Sequence, residues 1–77
     1  MNSNELRKHM EKNRVCQHAY SINDGLKDDA YHLIKENGSW HVFYMERGVR
    51  SIHSEFESET QACGCFYKLT KKHLKIL

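Results

Sequence analysis

Alternating hydrophobic and polar residues dominate the middle of the chain and predict a β-meander between Tyr31 and Phe56. Its first two runs of β-branched and aromatic residues are separated by Glu36-Asn37-Gly38-Ser39. Asn-Gly between such runs is a strong hairpin signal, because a type I′ turn needs positive φ at both central residues. A second, longer turn is predicted at Glu46-Arg47-Gly48, with Gly48 in the left-handed position. The strands expected from these turns are 30–36, 40–45 and 49–56.

Helical periodicity flanks the meander on both sides. A first helix is predicted over 3–13, where Leu6 and Met10 form a thin apolar stripe. A second helix is predicted over 59–75, because Ser58 opens a capping box and the lysines gather toward the C-terminal end. Along the chain, one helix therefore precedes the strands and the other follows them.

One further short strand is expected at 18–22, before an Asn-Asp-Gly turn. The chain therefore predicts an α+β domain of order α-β-β-β-α. We expect one three- to four-stranded antiparallel sheet with both helices packed on one face. All 77 residues are assigned to a single domain, since the chain is too short for two cores.

The first turn also sets a register that divides the strand residues between two faces. The pairs expected on the core face are Lys35–Trp40, Leu33–Val42 and Tyr31–Tyr44, and those on the other face are Ile34–His41 and His32–Phe43. For the second hairpin we place Met45 opposite Val49. This register puts Ile52 on the core face and His53 beside His41 on the other face, which we expect to be open to solvent.

Composition and charge narrow the function classes. Hydrophobic residues make up 39% and charged residues 29%, an ordinary balance for a soluble domain, and a net charge of +2 is too small to indicate nucleic acid. No apolar run approaches the roughly 18 residues of a membrane span. The N-terminus lacks the basic and apolar segments of a secretory signal. A cytoplasmic protein without a membrane partner is therefore expected.

The three cysteines are an odd number and do not suggest a disulfide framework. Cys63-Gly64-Cys65 resembles half of a metal site, but residues two apart on a helix point about 200° apart around its axis. We expect Cys63 to lie in the core and Cys65 to be a peripheral thiol, and no metal or cofactor is predicted there.

Six histidines are unusual in so short a chain. The register groups His32, His41 and His53 on the open face, where imidazoles can bind zinc or transfer protons. No carboxylate or serine is placed by the sequence as their partner, so neither an enzyme nor a small-molecule substrate is predicted. With Ile34 and Phe43 they form a partly apolar patch that suits a protein partner.

Acidic residues cluster where the last strand meets the last helix, at Glu55, Glu57 and Glu59. The α-β-β-β-α order is also that of double-stranded-RNA-binding domains, which place a lysine cluster at this junction. Carboxylates there repel phosphate, so nucleic acid is a less favoured partner. A small RNA-binding module remains the alternative interpretation. In the opposite interpretation, the acidic residues imitate nucleic acid and dock into a cationic cleft of a partner.

Two segments carry a family resemblance. The run Trp40 to Gly48, with its Tyr-x-Glu-Arg-Gly ending, and the run Phe56 to Cys63, Phe-x-Ser-Glu-x-x-Ala-Cys, resemble small immunity proteins of bacterial polymorphic and contact-dependent toxin systems. The resemblance covers roughly residues 31–69. It implies a non-enzymatic cytosolic inhibitor that binds one cognate toxin, often a nuclease, and blocks its active site.

The resemblance transfers no binding residues, because such proteins vary their interface with the toxin. Our candidate interface joins the expected open face to the acidic junction: His32, Ile34, His41, Phe43, His53, Glu55, Glu57 and Glu59. Aromatic anchors dominate protein interfaces, so Phe43 is expected to contribute most, and its replacement by alanine to weaken a complex without unfolding the domain.

Overall fold

The computed structural model describes residues 1–74, which form a four-stranded sheet with two helices on one face. The helices are α1 (Ser3–Lys12) and α2 (Glu59–Leu74), and the strands are β1 (Tyr20–Ile22), β2 (Ala30–Glu36), β3 (Ser39–Glu46) and β4 (Val49–Phe56). The strands lie in the order β1-β2-β3-β4. The predicted α+β class, single sheet and one-sided helix layer are confirmed. The predicted end of the second helix at residue 75 lies outside the described residues.

Helix α1 begins at a capping box. Asn2 Oδ1 accepts a hydrogen bond from the Glu5 backbone N–H at 2.8 Å, and the Asn2 N–H donates to Glu5 Oε1 at 3.4 Å. These bonds satisfy N–H groups that lack partners inside the helix. Leu6 and Met10 are fully buried, so the thin apolar stripe attaches α1 to the core.

The sheet is mixed rather than wholly antiparallel, because β1 runs parallel to β2, pairing Tyr20 with Tyr31 and Ile22 with Leu33. Because β2 runs in the same direction as β1, the chain must return to the end of the sheet at which β1 begins. Residues 23–29, which we call the crossover, do so with fewer than the dozen or so residues usual for such a connection. The expected antiparallel pairing of this strand is therefore wrong.

The first hairpin has the expected geometry. Asn37 and Gly38 have φ of 54° and 81°, as a type I′ turn requires. Every predicted pair of this hairpin is observed: Tyr31–Tyr44, His32–Phe43, Leu33–Val42, Ile34–His41 and Lys35–Trp40. The turn chemistry alone therefore fixed which side chains share a face.

The second hairpin closes more tightly than expected. Arg47 and Gly48 form the turn with φ of 51° and 78°, so Met45 pairs with Arg50 and not with Val49. Both turn residues occupy the left-handed region, which matches the twist of the flanking strands. The expected longer loop, with its pairing of Met45 and Val49, is wrong.

A β-bulge then shifts the pairing again. Tyr44 pairs with Ser51 but Val42 pairs with Ser54, so Ile52 and His53 together stand opposite Phe43. Ser54 takes the position beside Val42 that the sequence assigned to Ile52. The expected placement of Ile52 on the core face is wrong because the two-residue turn shifts β4 by one residue, which puts Ile52 opposite Phe43 on the other face.

The core lies between the sheet and the helix layer. Its buried members are Leu6, Met10, Tyr20, Ile22, Tyr31, Leu33, Trp40, Val42, Ala62, Cys63 and Phe66. The core face expected from the first hairpin is therefore confirmed by Tyr31, Leu33, Trp40 and Val42. Helix α2 is held at its start by Ser58, whose Oγ accepts a hydrogen bond from the Gln61 N–H at 3.3 Å.

Candidate partner-binding face

The sheet surface opposite the helices, which we call the outer face, carries most of the predicted interface. The crossover passes over one end of this face. The Lys27 backbone N–H donates a hydrogen bond to His32 Nε2 at 2.9 Å, which ties the crossover to β2. Part of the outer face is therefore covered, although the sequence predicts it to be open.

His32 is fully buried beneath the crossover. Its Nε2 accepts the hydrogen bond from Lys27, so the ring proton lies on Nδ1, which is 3.0 Å from the Ala30 carbonyl oxygen. Burial lowers the pKa of His32, the hydrogen bond to Ala30 raises it, and the charges of Arg50 and Lys27 lower it. His32 is thus a neutral structural histidine whose two nitrogens are both occupied.

Phe43 is also fully buried. The His32 ring stacks on it with centroids 4.8 Å apart and planes 7° from parallel, and the Arg50 guanidinium carbon lies 4.4 Å from its ring centroid. The His53 ring lies 5.4 Å away. Stacking and cation–π contacts enclose Phe43 in a second, small core on the outer face.

The predicted exposure of His32 and Phe43 is therefore wrong. The crossover covers His32, and Arg50 and His53 cover Phe43, so neither side chain offers surface to a partner. Phe43 accordingly stabilises the domain, and an alanine there removes packing inside the molecule instead of an anchor on its surface.

His41 and His53 do lie side by side on the outer face, as predicted. His41 Nδ1 is 2.8 Å from His53 Nε2, and the ring centroids are 5.0 Å apart. This hydrogen bond requires that one of the two nitrogens carries a proton and the other does not. Glu55 stands directly opposite His41 in the strand register, so a carboxylate neighbours the pair.

Ile52 is the most unusual residue of this face. It has φ of 54°, and its side chain is 56% exposed. A β-branched residue in the left-handed region is an outlier, since its Cβ crowds the backbone. The bulge therefore holds an exposed apolar side chain in a strained conformation.

The acidic junction divides between two sides of the molecule. Glu55 and Glu57 are exposed. Glu59 Oε2 instead accepts a hydrogen bond from the Ser3 backbone N–H at 2.9 Å, which links the starts of α1 and α2. The hydrogen bonds from Ser3 lower the pKa of Glu59. Glu59 thus has a role in joining the helices.

The structure brings five accessible residues together around the bulge. We call Ile34, His41, Ile52, His53 and Glu55 the bulge surface. Sequence reasoning missed Ile52 because it expected Met45 opposite Val49, whereas the shorter turn pairs Met45 with Arg50 and moves Ile52 to the outer face. It also missed Arg50, which pairs with Met45, covers Phe43 and lies 3.4 Å from Glu36 Oε1.

The thiols occupy the expected positions. Cys63 is buried in the core and Cys65 is half-buried, and burial raises the pKa of both. Among residues 1–74, no group of three or more His, Cys, Asp or Glu side chains is arranged to hold a metal ion. Neither α1 nor α2 in its described part is long and apolar enough to cross a membrane.

Comparisons of the chain with models of protein families, with curated proteins and with solved structures give no match. The geometry of the bulge surface and the sequence resemblance are therefore the observations that bear on function.

Proposed function

We propose that this domain acts by binding a protein, as a cytoplasmic immunity protein that neutralises a cognate bacterial toxin and catalyses no reaction. The observation that carries the proposal is Ile52, an exposed isoleucine held at positive φ in a β-bulge. Strained, exposed apolar residues are retained where a function requires them. The resemblance to small immunity proteins supplies the class of partner.

The bulge favours a partner that contacts side chains of the sheet over one that adds a strand to its edge. β4 is an edge strand, and a bulge in an edge strand discourages the addition of another strand. A partner therefore contacts the outer face, where Ile52 supplies apolar area beside the His41–His53 pair. Apolar area surrounded by polar groups is the usual anatomy of a protein interface.

Charge supports a cationic partner. Glu55, which stands opposite His41, and Glu57, which follows the end of β4, are both exposed. A nuclease toxin binds phosphates with cationic residues, and carboxylates opposite such a cleft speed association and set the orientation of docking. The same carboxylates oppose an RNA-binding role at this junction, which makes the RNA-binding module the weaker candidate.

The test is protection from the toxin. The proposal requires a toxin-like reading frame beside this gene. The C-terminal domain of that reading frame is expressed from an inducible promoter together with the wild-type domain or a variant. Wild type is expected to restore growth and Ile52→Asp to lose protection. Val49→Asp is the matched control, because Val49 is another exposed β-branched residue of β4 and is 66% exposed.

Purification of the domain from cells, with whatever is bound to it, distinguishes an immunity protein from an RNA-binding module. A stoichiometric protein complex free of RNA agrees with the proposal. Equal protection by wild type and Ile52→Asp contradicts the proposed surface. Salt-sensitive co-purification of duplex RNA without a protein partner contradicts the proposed function and favours the RNA-binding module.

A further inference from the structure

Two histidine rings on neighbouring strands meet at one pair of nitrogens. His41 belongs to β3 and His53 to β4, and His41 Nδ1 lies 2.8 Å from His53 Nε2. The strand register places Glu55 directly opposite His41, so the two histidines are diagonal neighbours whose ring centroids approach to 5.0 Å. The pairing of β3 with β4 therefore brings together two imidazole nitrogens from residues twelve positions apart in the chain.

The surroundings support this pair from within the sheet and leave it accessible to solvent. The His53 ring lies 5.4 Å from the ring of Phe43, which is fully buried. His41 is half-buried and His53 is exposed. Arg50 is a neighbouring cation, but its guanidinium lies over the Phe43 ring and 3.4 Å from Glu36 Oε1, which offsets its charge. A dissolved cation can therefore approach the two nitrogens.

The separation of these nitrogens fits two adjacent ligand positions of a metal ion. Two nitrogens about 2.0 Å from an ion stand about 2.8 Å apart when their bonds meet at about 90°, as in square-planar and octahedral complexes. The corresponding separation in a tetrahedral zinc site is about 3.3 Å. The observed 2.8 Å therefore matches the geometry that Ni²⁺ and Cu²⁺ adopt.

We propose that His41 and His53 form a two-histidine chelate for a divalent transition-metal ion of the Ni²⁺ and Cu²⁺ class, with water in the remaining positions. The proton between the two nitrogens moves through solvent to the other nitrogen of its own ring, so each ring offers a lone pair. Both rings then turn until the lone pairs converge on the ion, and the exposed His53 ring has room to do so. Two neutral imidazoles thus replace two waters of the hydrated ion, without oxidation or reduction.

Glu55 adds negative charge beside the chelate. It is exposed and stands opposite His41, so its carboxylate favours a bound cation. Within residues 1–74 no third side chain is arranged to complete a set of protein ligands, which leaves the ion with two. The site shares His41 and His53 with the bulge surface, but it rests on their geometry and not on the proposed function.

Isothermal titration calorimetry of the untagged full chain with Ni²⁺ tests the site. Wild type is expected to bind one ion per chain. His41→Gln and His53→Gln should each raise the Kd about tenfold or more, because the fold otherwise presents the second imidazole at high effective concentration. Zn²⁺ should bind wild type more weakly than Ni²⁺. Circular dichroism of each variant without metal checks that the fold is retained.

Cys16 and His18 supply the matched control. Both are exposed and lie two residues apart, away from the chelate, where an ion could bind adventitiously. The double variant Cys16→Ser/His18→Gln should bind Ni²⁺ with the wild-type Kd. NMR spectroscopy adds a readout on the unaltered chain: paramagnetic Ni²⁺ at substoichiometric amounts should broaden the ring signals of His41 and His53 before those of His18.

The contrary results are distinct. Equal Kd values for wild type, His41→Gln and His53→Gln mean an adventitious ion only and overturn the proposal, as does the absence of saturable binding. Zn²⁺ binding more tightly than Ni²⁺ would contradict ligand positions at about 90°. No toxin is present in these measurements, so their outcome is separate from that of the protection test.

Discussion

His32 and Phe43 stack face to face across strands β2 and β3, with ring centroids 4.8 Å apart and planes 7° from parallel. Both side chains are fully buried, although they lie on the sheet face opposite the helices. This pair gives the domain a second small core, closed by the crossover and by Arg50. The outer face is consequently an interface candidate only around the bulge.

Phe43→Ala is expected to destabilise the domain. It removes a buried ring and leaves a cavity beside His32, which should lower the free energy of unfolding by about 3 kcal/mol. Urea denaturation measures the change. Ile34→Ala on the same face is the control, because Ile34 is only half-buried and should cost about 1 kcal/mol. If Phe43→Ala lowers the free energy of unfolding no more than Ile34→Ala does, Phe43 is not buried as described.

His32 should make stability depend on pH. Its pKa is lowered in the folded state from the ordinary 6.5, chiefly by burial, so the unfolded chain binds the proton more readily. The stabilisation is therefore complete above pH 6.5 and is lost as the pH falls from 6.5 toward the lowered pKa. The denaturation midpoint of the wild-type domain should therefore decrease as the pH is lowered through this range.

The His32→Gln variant should lose that part of the pH dependence. His18→Gln is the control, because His18 is exposed in the turn before β1 and should leave the profile unchanged. An unaltered slope in His32→Gln would contradict a neutral, buried His32.

Ile52→Gly should stabilise the isolated domain. Glycine adopts positive φ without steric cost, and an exposed isoleucine contributes little burial, so the free energy of unfolding should rise by about 0.5–1 kcal/mol. Val49→Gly, at an exposed position without positive φ, should instead lower it by a similar amount, about 0.5–1 kcal/mol. A loss of stability in both variants would mean that the bulge stores no strain.

Gly64→Ala should stabilise α2. Glycine inside a helix costs about 1 kcal/mol relative to alanine, and a Cβ atom at this position meets no neighbour. Thermal unfolding should show that the free energy of unfolding, compared at the wild-type midpoint temperature, is higher by about 1 kcal/mol. A destabilised Gly64→Ala variant would indicate that the backbone at Gly64 is closely packed.

The sequence predicted the first hairpin, which local turn chemistry controls. Asn37-Gly38 determined the first hairpin, and through its register it separated Leu33 and Val42 from His32 and Phe43 correctly. The cap at Ser58 likewise depends on residues close in the chain.

One error is local, since Arg47 and Gly48 form a two-residue turn where a longer loop was expected. The other errors arise from contacts between distant residues. Because β1 pairs parallel to β2, the crossover passes over His32. No local sequence pattern near residue 27 predicts the hydrogen bond from the Lys27 N–H to His32. The bulge at Ile52 and His53 reflects a choice of pairing partners for β4, and the sequence there reads as an ordinary alternating strand. Accessibility of the outer face was therefore not predictable, whereas its composition was.

The most direct test of the account is the affinity of the purified domain for the toxin domain that the proposal requires to be encoded beside it, measured by isothermal titration calorimetry. We predict a one-to-one interaction per domain that Ile52→Asp weakens at least tenfold, about 1.4 kcal/mol or more, while Val49→Asp leaves it unchanged. Equal affinities of wild type and Ile52→Asp, or the absence of any binding, would contradict partner recognition through the bulge surface.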